Sequence, residues 1–192
     1  MRRFFIPGFA PVYVIGGASF AGALLFSHPP EWLVDLFGSR WSPQYFLLAT
    51  FMHAGFLHAL LNVAALFFIG GQLLLPLLGM RRWLLLFGGG ALAGHLANNL
   101  FSDSPAVGIS AAVLAMLGCA VFPFGKMPVR FMLLHDILRL PPFRLSSVAA
   151  FFVMLDIIGV ISGWHFFAHT AHLAGFALGA AFGYFHFPRR LL

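Results

Sequence analysis

The chain has 192 residues, of which 61% are hydrophobic and 8% charged, against about 25% charged in a typical soluble domain. That excludes an ordinary water-soluble globule and points to an integral membrane protein built as one domain over residues 1–192. The formal net charge of +6 does not call for nucleic acid, because bilayer orientation accounts for the basic residues, and the single cysteine, Cys119, excludes an internal disulfide and a thiolate metal cage.

A spanning helix needs about 20 mostly apolar residues. Six segments meet or approach that length, giving an expected all-α membrane protein with helices over about 9–27, 56–78, 83–101, 107–124, 146–163 and 169–187. Met1-Arg2-Arg3 before the first run resembles a signal peptide, but the run is long for a signal core, so a retained first helix is expected. The following loop, from about Ser27 to Met52, holds Trp32, Trp41 and Tyr45, aromatic residues that favour the interface. It is expected to dip into the outer leaflet. Between the fourth and fifth segments, Val129–Leu140 alternates Phe131, Leu134 and Leu138 with Arg130, Asp136 and Arg139, which predicts a short amphipathic surface helix with His135 on its polar face.

The basic residues orient the bundle. Arg2, Arg3, Arg81, Arg82, Lys126, Arg130, Arg139, Arg144, Arg189 and Arg190 all fall on one side if the N-terminus is cytoplasmic, and only Arg40 falls opposite. That is the positive-inside pattern.

With this orientation, the second, fourth and sixth segments enter from the outside, and each carries polar groups about one turn down. His58 and Asn62 share a face of the second, Ser110 opens the fourth within Gly108-Ile109-Ser110-Ala111, and His172 lies near the start of the sixth. Unpartnered polar groups in hydrocarbon cost several kcal/mol, so these should face one another or a wet cavity. Gly175, Gly179 and Gly183 follow His172 at four-residue intervals, and Ala111, Ala115 and Gly118 line the fourth segment. Small-residue stripes let helices approach closely, which would bring His172 to Ser110. A serine needs a base to become a nucleophile, and histidine suits that role. His58, Asn62 and the backbone N–H of Ser110 are candidate oxyanion donors. Asp156 is expected near mid-membrane, too deep for His172, as a structural hydrogen-bonding residue. A Ser110–His172 dyad is therefore the expected chemistry. His95 is expected to be a buried packing or hydrogen-bonding residue.

The pattern His53-Ala-Gly-Phe-Leu-His58-Ala-Leu-Leu-Asn62, then Gly108-Ile-Ser110-Ala111, then Ala171-His172-Leu-Ala-Gly175-Phe-Ala-Leu-Gly179 resembles the rhomboid intramembrane serine proteases, in order and in spacing, over about 130 residues. The resemblance implies a six-transmembrane-helix rhomboid-like bundle and an endopeptidase that cuts single-span membrane proteins in or near the bilayer after a small residue. It implies Ser110 as nucleophile, His172 as base and then acid, and His58 and Asn62 at the oxyanion. His53 would brace the first outer loop, and Gly108, Gly175 and Gly179 would be structural. No metal, no cofactor and no nucleic-acid partner are implied, and the oligomeric state stays open. The chain departs from the family in three places. Ala111 follows the serine where glycine is common, Leu114 replaces a stacking tyrosine, and the usual Trp-Arg pair is not evident before Tyr45. The segment Asp156–His172, with Gly163-Trp164, looks more like the mitochondrial-type branch. The lack of an Arg- and Ser-rich presequence nonetheless favours a bacterial inner membrane.

Besides a transporter, for which no inverted repeat or broken-helix pair is seen, two other classes compete. His165, His169 and His172 have a spacing that could hold a metal, but the loops are poor in further ligands. A non-catalytic binder or chaperone of membrane segments on the same scaffold is the other; such relatives lack the serine or the histidine, and this chain has both.

Overall fold

The computed structural model describes residues 9–25, 39–103, 105–130, 139–164 and 168–187. They are mostly helical. Helix α1 spans Ala10–Leu25 and α2 spans Pro43–Phe51. Helix α3, Phe56–Ala65, runs without interruption into a π-helical stretch, Leu66–Leu74, and then into α4, Leu75–Phe101. Helices α5, α6 and α7 span Ser110–Phe124, Leu145–Ile161 and His169–His186. Each of the six expected segments is helical within a few residues. The expected amphipathic helix at Val129–Leu140 falls largely outside the described residues, as do Trp32, His135 and His165.

The sequence reading missed three local features. The back half of the first outer loop is helical: Ser42 caps α2 by accepting from the Tyr45 N–H at 3.1 Å, with Pro43 at the first helical position. The loop between α5 and α6 is closed by a short antiparallel ladder, β1 (Pro128–Val129) against β2 (Phe143–Arg144). The boundary between the second and third expected segments is Gly79, whose backbone (φ 70°, ψ 165°) is not helical. Above it, in the π-helical stretch, the Gly70 carbonyl accepts both from the Leu75 N–H and from the indole of fully buried Trp83, the latter at 2.7 Å.

The core sits where α5, ringed by α4, α7 and the π-helical stretch, is buried on nearly every face. Small residues make this possible. A Cβ on Gly175 would overlap the Ala111 carbonyl oxygen, and one on Gly179 the Ala115 carbonyl oxygen. The expected α5–α7 contact is thus backbone against backbone. Gly179→Val should cost at least ~3 kcal/mol, because the obstacle is main chain that cannot yield. Thermal unfolding of the detergent-solubilised variant checks this; an unchanged midpoint would place the glycine stripe away from α5.

The outward faces are apolar. On α6 alone, Phe151, Phe152, Met154, Ile157, Ile158, Val160 and Ile161 are exposed. A patch this size is what lipid covers. The continuous stretch Phe56–Phe101 is long and apolar enough to cross a membrane, while Ala10–Leu24, Ser110–Phe124 and Leu145–Ile161 are shorter apolar helices.

Candidate active site

Four elements converge on Ser110. The segment before it is pinned to α2 by a bond from the Gly108 N–H to the Ala49 carbonyl at 2.8 Å. Gly108 has φ +102°, a conformation that disfavours side chains. A Cβ there would also stand 3.2–3.3 Å from the rings of His58 and His53. The same outer region is tied by Arg40, whose guanidinium donates to the Ser102 and Asp103 carbonyls at 3.1 and 3.0 Å. The Asn99 amide in turn donates to the Arg40 carbonyl at 2.6 Å. Arg40 therefore closes off the end of α4. Ser110 is the first residue of α5 and is buried.

His172, one turn into α7, places Nε2 2.9 Å from Ser110 Oγ. Its other ring nitrogen, Nδ1, lies 3.0 Å from Asp156 Oδ1. This overturns the expectation that Asp156 is too deep and leaves no third member. Helix α6 ends at Ile161, where Ser162 and Gly163 (φ 65°) turn the chain. Asp156 is five residues before that end, about 7.5 Å down, and His172 is three residues into α7, about 4.5 Å down. The two helices meet at this depth. The same carboxylate oxygen bonds His169 Nδ1 at 2.7 Å. His169 is buried, and Gly159 leaves the space its ring fills.

The carboxylate can only accept, so each Nδ1 carries a proton and Nε2 of His172 presents a lone pair to the Ser110 hydroxyl. The arrangement is serine–histidine–aspartate, with the imidazole held in the tautomer that takes a proton from the serine. The remaining expected residues group around it. His58 accepts from the Ala54 N–H through Nδ1 at 3.2 Å, so its proton sits on Nε2. Asn62 is buried one turn deeper, and its amide donates to the His58 carbonyl at 2.9 Å. His95 is buried against Thr50 Oγ1 at 3.1 Å, the expected packing role.

His58, Ser110, His169 and His172 line a cavity of about 510 Å³, together with Asn98, Thr170 and Trp164; Asn62 is not among the lining residues. The Thr170 hydroxyl donates to Asn98 Oδ1 at 3.1 Å. Sequence reasoning passed over Asn98 and Thr170. The signal for Asn98 was the pair Asn98-Asn99 inside an otherwise apolar segment, which is costly unless it faces polar partners.

His53 bonds the Phe51 carbonyl through Nδ1 at 3.1 Å and its ring packs on His58, with centroids 5.0 Å apart. Burial pushes its pKa down to about 4 from 6.5; the Phe51 bond opposes this and neighbouring His58 adds to it. The unfolded chain then binds the extra proton between pH 6.5 and 4. Stability due to a neutral His53 is complete above pH 6.5 and is lost as pH falls toward 4. Lowering the pH from 7 to 5 should cost roughly 2 kcal/mol through this group. Thermal unfolding of wild type and His53→Gln at both pH values checks it: equal pH sensitivity would remove His53 as the source.

An apolar helical bundle enclosing a hydroxyl, two imidazoles and one carboxylate defines a helical membrane protein with a serine–histidine site. The Rhomboid domain model matches residues 40–189, and the chain belongs to the rhomboid family. It is similar to Presenilin-associated rhomboid-like protein A, mitochondrial, of Danio rerio: 27% identical over 148 residues, covering 73% of this chain and 37% of that protein. It is likewise similar to Presenilin-associated rhomboid-like protein, mitochondrial, of Homo sapiens, 27% identical over 146 residues, covering 69% of this chain and 35% of that protein. The chain thus spans little more than a third of the length of these relatives. Their names correct the expectation of a bacterial inner membrane, because these similar proteins are mitochondrial. The expectation failed for a physical reason. A bias of basic residues orients helices in a bilayer but does not identify the membrane, and the first residues of a chain matching a third of its relatives do not report on a presequence.

Proposed function

We propose that this chain is an intramembrane serine endopeptidase that cleaves single-span membrane proteins in or beside the bilayer. The observation that carries the reading is the run of contacts from Ser110 Oγ through His172 to Asp156 Oδ1, at 2.9 and 3.0 Å, on the wall of a cavity. Ser110 Oγ attacks the scissile carbonyl as its proton passes to His172 Nε2. Asp156 holds the imidazole and balances the imidazolium that forms. The His172 proton then goes to the leaving amine, an acyl-enzyme remains on Ser110, and water releases it by the same steps in reverse order. The Ser110 N–H, at the first position of α5, and the Nε2–H of His58 are the donors for the oxyanion. Asn62 supports this arrangement by holding the His58 turn.

The chain is read as one rhomboid-like domain whose six helical segments cross the bilayer. Their apolar outer faces support this. Helix α5, with 15 residues, is about 22 Å long, shorter than the ~30 Å hydrocarbon layer. With its far end at one surface, Ser110 lies several ångströms beneath the other, and the cavity is what brings water to it. Lipid and single-span substrates are the proposed partners; no nucleic acid and no cofactor enter the chemistry. The test is labelling by a fluorophosphonate probe in membranes: wild type should label and Ser110→Ala should not. A folded wild type that resists the probe would leave a membrane-segment binder instead.

A further inference from the structure

The proposed proton transfer from Ser110 uses one imidazole and one carboxylate, yet the cluster around that carboxylate holds a second imidazole. His169 and His172, three residues apart on α7, both direct Nδ1 at Asp156 Oδ1, at 2.7 and 3.0 Å. The three donor atoms lie within 4.8 Å of one another, and Asp156 and His169 are buried. Helix α6 accommodates the extra ring: a Cβ on Gly159 would overlap its Nε2, Cδ2 and Cε1. Both histidines border the cavity, which gives a hydrated ion a way in.

We propose that Asp156, His169 and His172 form a binding site for a divalent cation of the zinc class, and that its occupancy switches the serine site off. The inhibitory part of this rests on the proposed roles of Ser110 and His172. A tetrahedral zinc with bonds of about 2.0–2.2 Å holds its ligand atoms roughly 3.3 Å apart. The two His–Asp contacts open by a few tenths of an ångström to meet this, the two Nδ1 atoms close on each other, and cavity water supplies the fourth ligand. Two imidazoles and one carboxylate suit zinc, whereas magnesium and calcium seek six or more oxygens.

The inhibition follows from the tautomer. In the metal-free cluster each Nδ1 donates its proton to Asp156. A cation takes the Nδ1 lone pair, so each neutral ring must carry its proton on Nε2 instead. One proton leaves Nδ1 and one arrives at Nε2 through cavity solvent, with no net change. His172 then donates to Ser110 Oγ and cannot accept its proton, so cation binding and nucleophile activation exclude each other.

The experiment uses the full chain in detergent micelles, freed of metal, with two separate readouts. Zinc binding is measured by competition with a chromophoric chelator, and fluorophosphonate labelling is followed with and without zinc. Wild type and Ser110→Ala should each bind one zinc per chain. His169→Gln should weaken that binding by about tenfold or more. Zinc should suppress labelling of wild type, EDTA should restore it and magnesium should have no effect. The residual labelling of His169→Gln should be insensitive to the same zinc concentration. Should His169→Gln fail to fold, His172→Gln serves for the binding readout. Equal zinc affinity in wild type and the ligand variants, or equal zinc suppression of His169→Gln, overturns the site. Absence of labelling in every form, with zinc binding intact in Ser110→Ala, overturns the protease reading and leaves the cation site standing.

Discussion

Ser110→Ala should abolish both probe labelling and cleavage of a reconstituted single-span substrate while the protein stays folded. Ser110 Oγ bonds His172 Nε2, and the substitution removes that one hydroxyl while keeping the Cβ that packs in the helix. The first turn of α5 keeps its backbone bonds, so thermal unfolding should change little. On the proposed mechanism, activity by contrast loses its nucleophile. In serine enzymes of this kind, removing the nucleophile costs on the order of 10⁶ in turnover, leaving only what the oxyanion donors and binding supply. His172→Ala should match it rather than add to it, since the two act as one unit. Substantial cleavage by folded Ser110→Ala would end the proposal.

Asp156→Asn should lower kcat by about 10²–10⁴ with KM nearly unchanged. The carboxylate accepts from Nδ1 of His172. An amide in its place can offer an N–H instead, which favours a bare Nδ1 and a proton on Nε2. The imidazole then donates to Ser110 when it needs to accept. Substrate binding does not depend on that tautomer, so the effect should fall on kcat. Kinetics on a reconstituted substrate separate the two constants. An unchanged kcat would return Asp156 to the purely structural role that its sequence position suggests.

How legible the site was in the sequence depended on whether a residue's depth could be counted from a surface. Ser110 and His172 each begin a helix after a loop on the same side, so their common depth followed from the order of segments alone. The glycine spacing after His172 then implied the close contact seen against Ala111 and Ala115. Asp156 escapes this count, because it sits well inside its segment and its depth relative to His172 depends on how α6 and α7 are set against each other. It lies five residues before the end of α6, and His172 lies three residues into α7. No periodicity reports how two neighbouring helices are offset along their axes. The π-helical turn at Leu66–Leu74 was equally hidden, since a change from fourth- to fifth-neighbour bonding leaves the apolar pattern almost intact. The cap at Ser42-Pro43 is legible in the sequence, but the nine-residue helix it opens is too short to span a membrane and carries no spanning-length apolar signal.

The site's three chemical groups come from three helices, and α6 contributes only the carboxylate. That helix rests on α7 and α5 and turns a broad greasy face outward. If it swings aside to admit a substrate from the lipid, it carries Asp156 away from His172 in the same movement. On the proposed mechanism, an open side door and a primed base would then exclude each other.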